Sequence, residues 1–272
     1  MNYRHAFHAG NAADCVKHAL LVWLLRALAR KPAPFFVLDT HAGSGRYDLT
    51  SGPAERTGEW RDGIARLLDD PPHALADYVA LVRVLGLYPG SPLLTRALLR
   101  SGDRLACCEL HPEDAALLKR CFARDARVSV HLRNGWEALG ALLPPRERRG
   151  LVLIDPPYER PDEFERVVAG LRAGYARFPT GVFASWYPIK HRAPVRGLHA
   201  ALAASGMRDV VAVELWLREP LDAARLNGCG LVVVNPPFGF HDDAPEILRA
   251  LLARLGHGEA GEGCDLVRLA DE

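Results

Sequence analysis

Short apolar runs closed by turn residues recur along the chain, at 35–39, 104–109, 127–132, 151–155, 181–186, 209–217 and 230–235. They are rich in Val, Leu, Ile and Phe and lack the alternation of a half-solvated strand, which marks strands buried on both faces of a parallel sheet. Between them, segments at 13–30, 112–123, 135–143, 162–177, 194–205 and 243–255 carry helical periodicity. This alternation predicts an α/β fold with a doubly wound, seven-stranded Rossmann-like sheet. Ligands of such sheets sit beyond the carboxyl ends of the parallel strands.

The link from the first strand to the second, from about Gly43 to Arg104, is much longer than a crossover helix needs. Asp62 to Leu68 and Ala74 to Leu87 are helically periodic within it, and Pro71-Pro72 breaks the run between them. The chain therefore divides into an N-terminal segment and start of the core (1–48), a small helical insertion (49–96) and the remainder of the core (97–272). The Gly-rich stretch from Gly256 to Gly263 reads as a loop.

Composition narrows the function classes. With 272 residues and 49% hydrophobic content the chain can bury one substantial core. Its 34 basic and 33 acidic residues leave a net charge of +1, so any nucleic-acid contact must come from a local patch. The six cysteines, at 15, 107, 108, 121, 229 and 264, show no C-x-x-C spacing. Neither a zinc site nor a disulfide framework is signalled, and a reducing cytoplasm is the expected compartment. The N-terminus is polar, and the first apolar run, Ala19 to Ala29, carries Arg26 and is too short to span a bilayer. No signal peptide or membrane span is expected.

Candidate chemistry gathers at predicted strand ends. Val37-Leu38-Asp39-Thr40-His41-Ala42-Gly43-Ser44-Gly45 is a strand entering a glycine-containing turn, where a doubly wound fold cradles a nucleotide-like ligand. A tight structural turn has the same appearance. Glu109 closes the second strand, where a carboxylate can accept hydrogen bonds from the ribose hydroxyls of an adenosyl group. Asn134-Gly135 follows the third strand, in the place of a group that reads an adenine edge, although Asn-Gly is also an ordinary turn.

Gly150-Leu151-Val152-Leu153-Ile154-Asp155-Pro156-Pro157-Tyr158 is the strongest signal. A buried strand delivers one carboxylate, two prolines fix the backbone, and an aromatic ring follows. This suits methyl transfer to a planar amino nitrogen. Asp155 and a proline carbonyl would accept its two N–H bonds, while Tyr158 stacks on the ring that bears it. The nitrogen becomes acidic only as it is alkylated, so position matters more than basicity. Asn235-Pro236-Pro237-Phe238 also follows an apolar strand. If that strand is the last of a methyltransferase-like sheet it inserts antiparallel, which gives this second loop a structural role.

Together these segments resemble the class I methyltransferases that modify adenine at N6, and more narrowly the bacterial 23S ribosomal RNA adenine-N6 methyltransferase J family. The resemblance is carried by Tyr3 to Asn11, Lys17-His18, Leu38 to Gly43, Ala54 to Glu59, Tyr88-Pro89-Gly90-Ser91-Pro92, Glu109 to Pro112 and Ile154 to Tyr158. It implies a monomeric enzyme with a helical insertion that uses S-adenosylmethionine to methylate 23S ribosomal RNA. By matched position, His18, His41, Ser91 and Glu109 would bind the cofactor, and Asn134 and Gly135 would flank its adenine. Asp155 would be catalytic, with Tyr3, Pro156 and Tyr158 on the substrate side. The family pattern carries Asp-Gly where this chain has Asn134-Gly135; the Asn oxygen can still accept from an adenine amino group.

Weighed as chemistry alone, His5, His8 and His18 lack a metal spacing, and satisfied or solvated histidines account for them. Arg146, Arg148 and Arg149, with Lys190, His191 and Arg192, are candidate phosphate contacts near the ligand edge, or else solvated charges. Three other functions fit the same motifs: methylation of DNA adenine, methylation of a protein glutamine, and a noncatalytic ribosome-assembly factor. Intact Asp155 and Glu109 speak against the last.

Overall fold

The fold is that of a computed structural model, which describes residues 4–271; Tyr3 lies outside the described residues. In chain order the strands are β1 Phe36–Asp39, β2 Arg46–Tyr47, β3 Tyr88–Pro89, β4 Arg104–Glu109, β5 Val128–Leu132, β6 Gly150–Ile154, β7 Val182–Ile189, β8 Val210–Trp216, β9 Gly228–Val234 and β10 Gly263–Ala270. The helices are α1 Ala12–Ala29, α2 Gly52–Thr57, α3 Ala65–Leu68, α4 Ala76–Leu85, α5 Ser91–Leu98, α6 Pro112–Cys121, α7 Gly135–Leu142, α8 Glu163–Arg177, α9 Arg192–Ala203 and α10 Phe240–Leu255.

The main sheet runs β5-β4-β1-β6-β7-β9-β8-β10, with helices on both faces. Its central strands β1, β6 and β9 are buried at every position, which is why they read as unbroken apolar runs. On one face α1, α6 and α10 pack with the helices between β2 and β4. On the other, α7, α8 and α9 pack through Leu139, Leu171 and Leu198.

The strand order turns at β1: β4 and β5 continue to one side, β6 and β7 to the other, all parallel. That reversal opens a crevice at the carboxyl edge. β9 inserts antiparallel between β7 and β8, as the sequence predicts for the seventh strand. Val234 pairs with Phe183 near the start of β7, so Asn235 emerges at the edge opposite the crevice. There its Nδ2 donates to the carbonyls of Pro179 (2.8 Å) and Gly181 (2.7 Å), a structural role as expected.

Two features depart from the sequence reading. The main sheet has eight strands, because β10 pairs antiparallel with β8 just after the Gly-rich loop. As a half-solvated edge interrupted by Asp265 and Arg268, β10 lacks the apolar run that announced the others. The second departure concerns Arg146, Arg148 and Arg149, which precede β6 and therefore sit at its amino edge, away from the crevice. Arg149 donates to the carbonyls of Leu28 and Ala33 and stitches α1 to the sheet instead.

Candidate active site

The carboxyl edge of β1, β4 and β6 opens into a cleft of about 1040 Å³. His18, His41, Ser91, Glu109, Asn134, Gly135, Asp155, Pro156 and Tyr158 all line it. Lys190 lines it as well, at the end of β7.

β1 ends on Asp39, directly before the cleft-lining Thr40 and His41. The Asp39 side chain is fully buried; Ser91 Oγ donates to its Oδ2 at 2.7 Å, and its Oδ1 has no hydrogen-bond partner among the described residues. Burial pushes this carboxyl up to about 7, against the pull of the Ser91 hydrogen bond. The chain then turns through Gly43, at φ 62°, and Gly45, at φ 89°, a conformation that favours glycine. This turn is tied to the tip of β4: Gly43 N donates to Glu109 Oε2 at 2.8 Å and His111 N to Oε1 at 2.6 Å. Burial raises the Glu109 carboxyl, while these two N–H groups pull it back. Each oxygen keeps lone-pair capacity beyond its backbone bond, as a ribose diol requires.

Asn134 caps α7, its Oδ1 accepting from Trp136 N at 3.0 Å. That bond occupies one of the two lone pairs on the oxygen proposed to read an adenine. Gly135 is required sterically, since a Cβ there would lie 2.2 Å from the Thr40 carbonyl oxygen. His18 is buried in α1, with Nδ1 2.9 Å from Tyr88 Oη, and Tyr88 meets Tyr78 in turn at 3.1 Å. Burial drives His18 down to about 3 and His41 to about 4, so both rings are neutral at pH 7.

The Asp155 loop is rigid. Tyr158 adopts φ 51°, a strained conformation for an aromatic residue, and its hydroxyl donates to the Trp186 carbonyl at 2.8 Å. The Tyr158 ring packs edge-on against Trp186, with centroids 5.7 Å apart.

The largest omission of the sequence reading is a buried ion network on α1. Lys17 Nζ lies 2.6 Å from Asp155 Oδ2 and 2.9 Å from Asp14 Oδ1. Asp14 Oδ2 accepts from Gly10 N at 3.0 Å and meets His5 Nε2 at 2.9 Å. Burial alone would lower the Lys17 ammonium, but the two carboxylates hold it well above its ordinary value. Burial likewise opposes ionisation of Asp14, and His5 and Lys17 overcome it, leaving that carboxyl well below the usual range. The available signal was polar residues at 14, 17 and 18, an i, i+3, i+4 face inside an apolar helix. Lys17 holds Oδ2 of Asp155, and Oδ1 accepts no hydrogen bond among the described residues.

A crevice at the sheet's switch point, a carboxylate at the tip of β4 and a rigid Asp-Pro-Pro-Tyr loop at the tip of β6 define a class I methyltransferase. A family model described as ribosomal RNA large subunit methyltransferase D, RlmJ, matches residues 32–266. The chain belongs to this family. It is 44% identical over 264 residues to ribosomal RNA large subunit methyltransferase J of Haemophilus influenzae and 43% identical over 263 residues to that of Escherichia coli, covering 94% of each chain in both pairs. The crystal structure of a Legionella pneumophila protein superimposes with a TM-score of 0.88 at 33% identity, covering 96% of this chain and 98% of that one.

The methyl donor is S-adenosylmethionine, and the cleft suits it. Its lining holds Glu109 together with the acids Asp14, Glu59, Asp62 and Asp114, of which Asp14 is paired with Lys17 and His5 and Glu59 with His8.

Proposed function

We infer that the protein methylates the exocyclic N6 amine of an adenine in 23S ribosomal RNA. The observation that carries this reading is the Asp155-Pro156-Pro157-Tyr158 loop, with one carboxylate oxygen held by Lys17 and the other without a hydrogen bond among the described residues. An adenine flipped out of its stack would lie against Tyr158, donating one N–H to Asp155 Oδ1 and the other to the Pro156 carbonyl. Those two bonds direct the nitrogen lone pair at the methyl group. S-adenosylmethionine, when bound, supplies that methyl on an electrophilic sulfonium. As the new bond forms the nitrogen becomes acidic, and Asp155 Oδ1 takes its proton. Because Asp155 is positioned by Lys17 and the prolines, it acts through geometry rather than prior basicity.

His18, His41, Ser91 and Glu109 are assigned to the cofactor, with Asn134 and Gly135 flanking its adenine; Tyr3 is assigned to the RNA. The 49–96 insertion serves as a helical subdomain whose Glu59 and Asp62 wall the cofactor half. The enzyme is read as a cytoplasmic monomer that acts on naked 23S RNA or an early assembly particle. Among the described residues no helix is long and apolar enough to cross a membrane.

The test offers radiolabelled S-adenosylmethionine with deproteinised 23S RNA, duplex DNA or total cell protein. Label in RNA alone is expected. Label only in DNA or in protein overturns the substrate assignment.

A further inference from the structure

The charges that line the cleft differ by element: both signs occur on the segment after the Asp155 loop, where Glu159, Arg160, Glu163 and Arg166 line it, and single signs elsewhere on its rim. The acids Glu59, Asp62 and Asp114 come from the insertion and α6, whereas Lys190, Arg218 and Arg225 come from the ends of β7 and β8 and the loop between β8 and β9. The net charge of +1 hides this polarity.

The basic rim is built rather than incidental. Asn227, fully buried, donates from Nδ2 to the carbonyls of Lys190 (2.7 Å) and Asp222 (2.8 Å), and from its backbone N to the Ile189 carbonyl at 2.9 Å. One side chain thus staples the β8–β9 loop to the end of β7. Arg225 N donates to the Asp222 carbonyl at 3.2 Å, which sets Arg225 on the stapled segment. Arg218 is held by Glu259 through two bonds, of 3.0 and 2.9 Å. Lys190 and Arg225 have no ion-pair partner among the described residues, and both are exposed. Two exposed cations on an anchored backbone therefore line the cleft from one side.

β7 pairs with β6 at Ser185 opposite Ile154, the residue before Asp155. From that level to Lys190 the chain climbs five residues, about 16 Å at the rise of a strand. A flipped base at Asp155 would place its neighbouring phosphates, a few nucleotides at most, along this climb.

Resting on the reading of RNA as substrate, we propose that Lys190 and Arg225, held by the Asn227 staple, form the track for phosphates that flank the target adenine. The polarity separates two ligands of opposite charge: the sulfonium cofactor in the acidic half and the polyanion along the basic rim. Lys190 and Arg225 are RNA-positioning residues and take no part in methyl transfer.

The test compares the full-length parent with K190A/R225A and with K31A/R146A, which removes two exposed cations from the opposite edge. RNA binding is followed by fluorescence anisotropy on a 23S fragment from 50 to 200 mM salt, alongside calorimetric binding of S-adenosylhomocysteine and steady-state kinetics. Two lost single-strand phosphate contacts should reduce the log–log salt slope by about 1.4, so that affinity falls about 7-fold less across that range. K190A/R225A is expected to show this change, with a several-fold higher KM for RNA and unaltered S-adenosylhomocysteine binding, and K31A/R146A to match the parent. An active parent with an unchanged K190A/R225A slope overturns the track alone, as does an equal change in K31A/R146A. A parent that neither binds nor methylates RNA overturns the substrate reading beneath it.

Discussion

Replacing Lys17 by Met tests the buried ion network at its centre. Lys17 is 5% exposed and sits 2.6 Å from one carboxylate and 2.9 Å from another. Removing one partner of a buried ion pair costs about 3–5 kcal/mol, because the remaining charge is left uncompensated. Here the group affected is chiefly Asp14, whose side chain is 3% exposed but keeps His5 Nε2 at 2.9 Å and Gly10 N at 3.0 Å, which puts the loss at the low end of that range; Asp155 at 16% can recover some hydration. Against a total stability of about 5–15 kcal/mol that loss is large. With an m-value of about 3 kcal/mol/M, the urea midpoint should fall by about 1 M. The double variant Lys17→Met/Asp14→Asn removes the Asp14 charge and should recover a substantial part of the loss. The assay is equilibrium urea unfolding at pH 7.5. A single variant within about 0.5 kcal/mol of the parent, or an Asp14→Asn change that adds to the loss rather than offsetting it, would refute the reasoning.

Other outcomes follow from the same geometry. His18 is held down to about 3, so its contribution is complete above the unfolded value near 6.5 and is lost as pH falls below it; Asp39, held up to about 7, contributes below the unfolded value near 3.9 and loses that contribution as pH rises towards 7. Between pH 4 and 6.5, His18→Gln should therefore lower the slope of stability against pH by about 1.4 kcal/mol per unit, and Asp39→Asn should raise it by a similar amount, both read by urea titrations across that window. Gly135→Ala drives a Cβ to 2.2 Å from a backbone oxygen and should cost about 1–3 kcal/mol, whereas Gly140→Ala, on the same helix with open space, should be neutral or stabilising in thermal melts. Glu109→Ala strips the acceptor from Gly43 N and His111 N and should weaken S-adenosylhomocysteine binding about 10-fold or more by calorimetry; a value within threefold of the parent would contradict the cofactor assignment.

The parts of the molecule that could be read from sequence are those where one local pattern carries the whole meaning. β1, β4 and β6 are apolar because both faces are buried; β1 and β4 end on the acids Asp39 and Glu109, and Asp155 directly follows β6. The antiparallel insertion of β9 followed from the class of sheet, and with it the structural role of Asn235. What escaped depends on contacts distant in sequence. Lys17 and Asp155 are 138 positions apart, and only the packed sheet brings them together. β10 gains its identity from pairing with β8 rather than from its own pattern. The misplaced Arg146 to Arg149 cluster was legible in principle: a segment that enters a parallel strand lies at the amino edge, and only one that leaves it reaches the ligand.

The central claim is that Asp155 presents its Oδ1 carboxylate oxygen to an adenine amine. Its most direct test is mass spectrometry of nucleosides from unmodified 23S RNA treated with S-adenosylmethionine and either the parent or Asp155→Ala. The account predicts N6-methyladenosine with the parent, and none with an Asp155→Ala variant that still binds S-adenosylhomocysteine. Methyl on a different nucleoside, or equal N6-methyladenosine from both proteins, would contradict it.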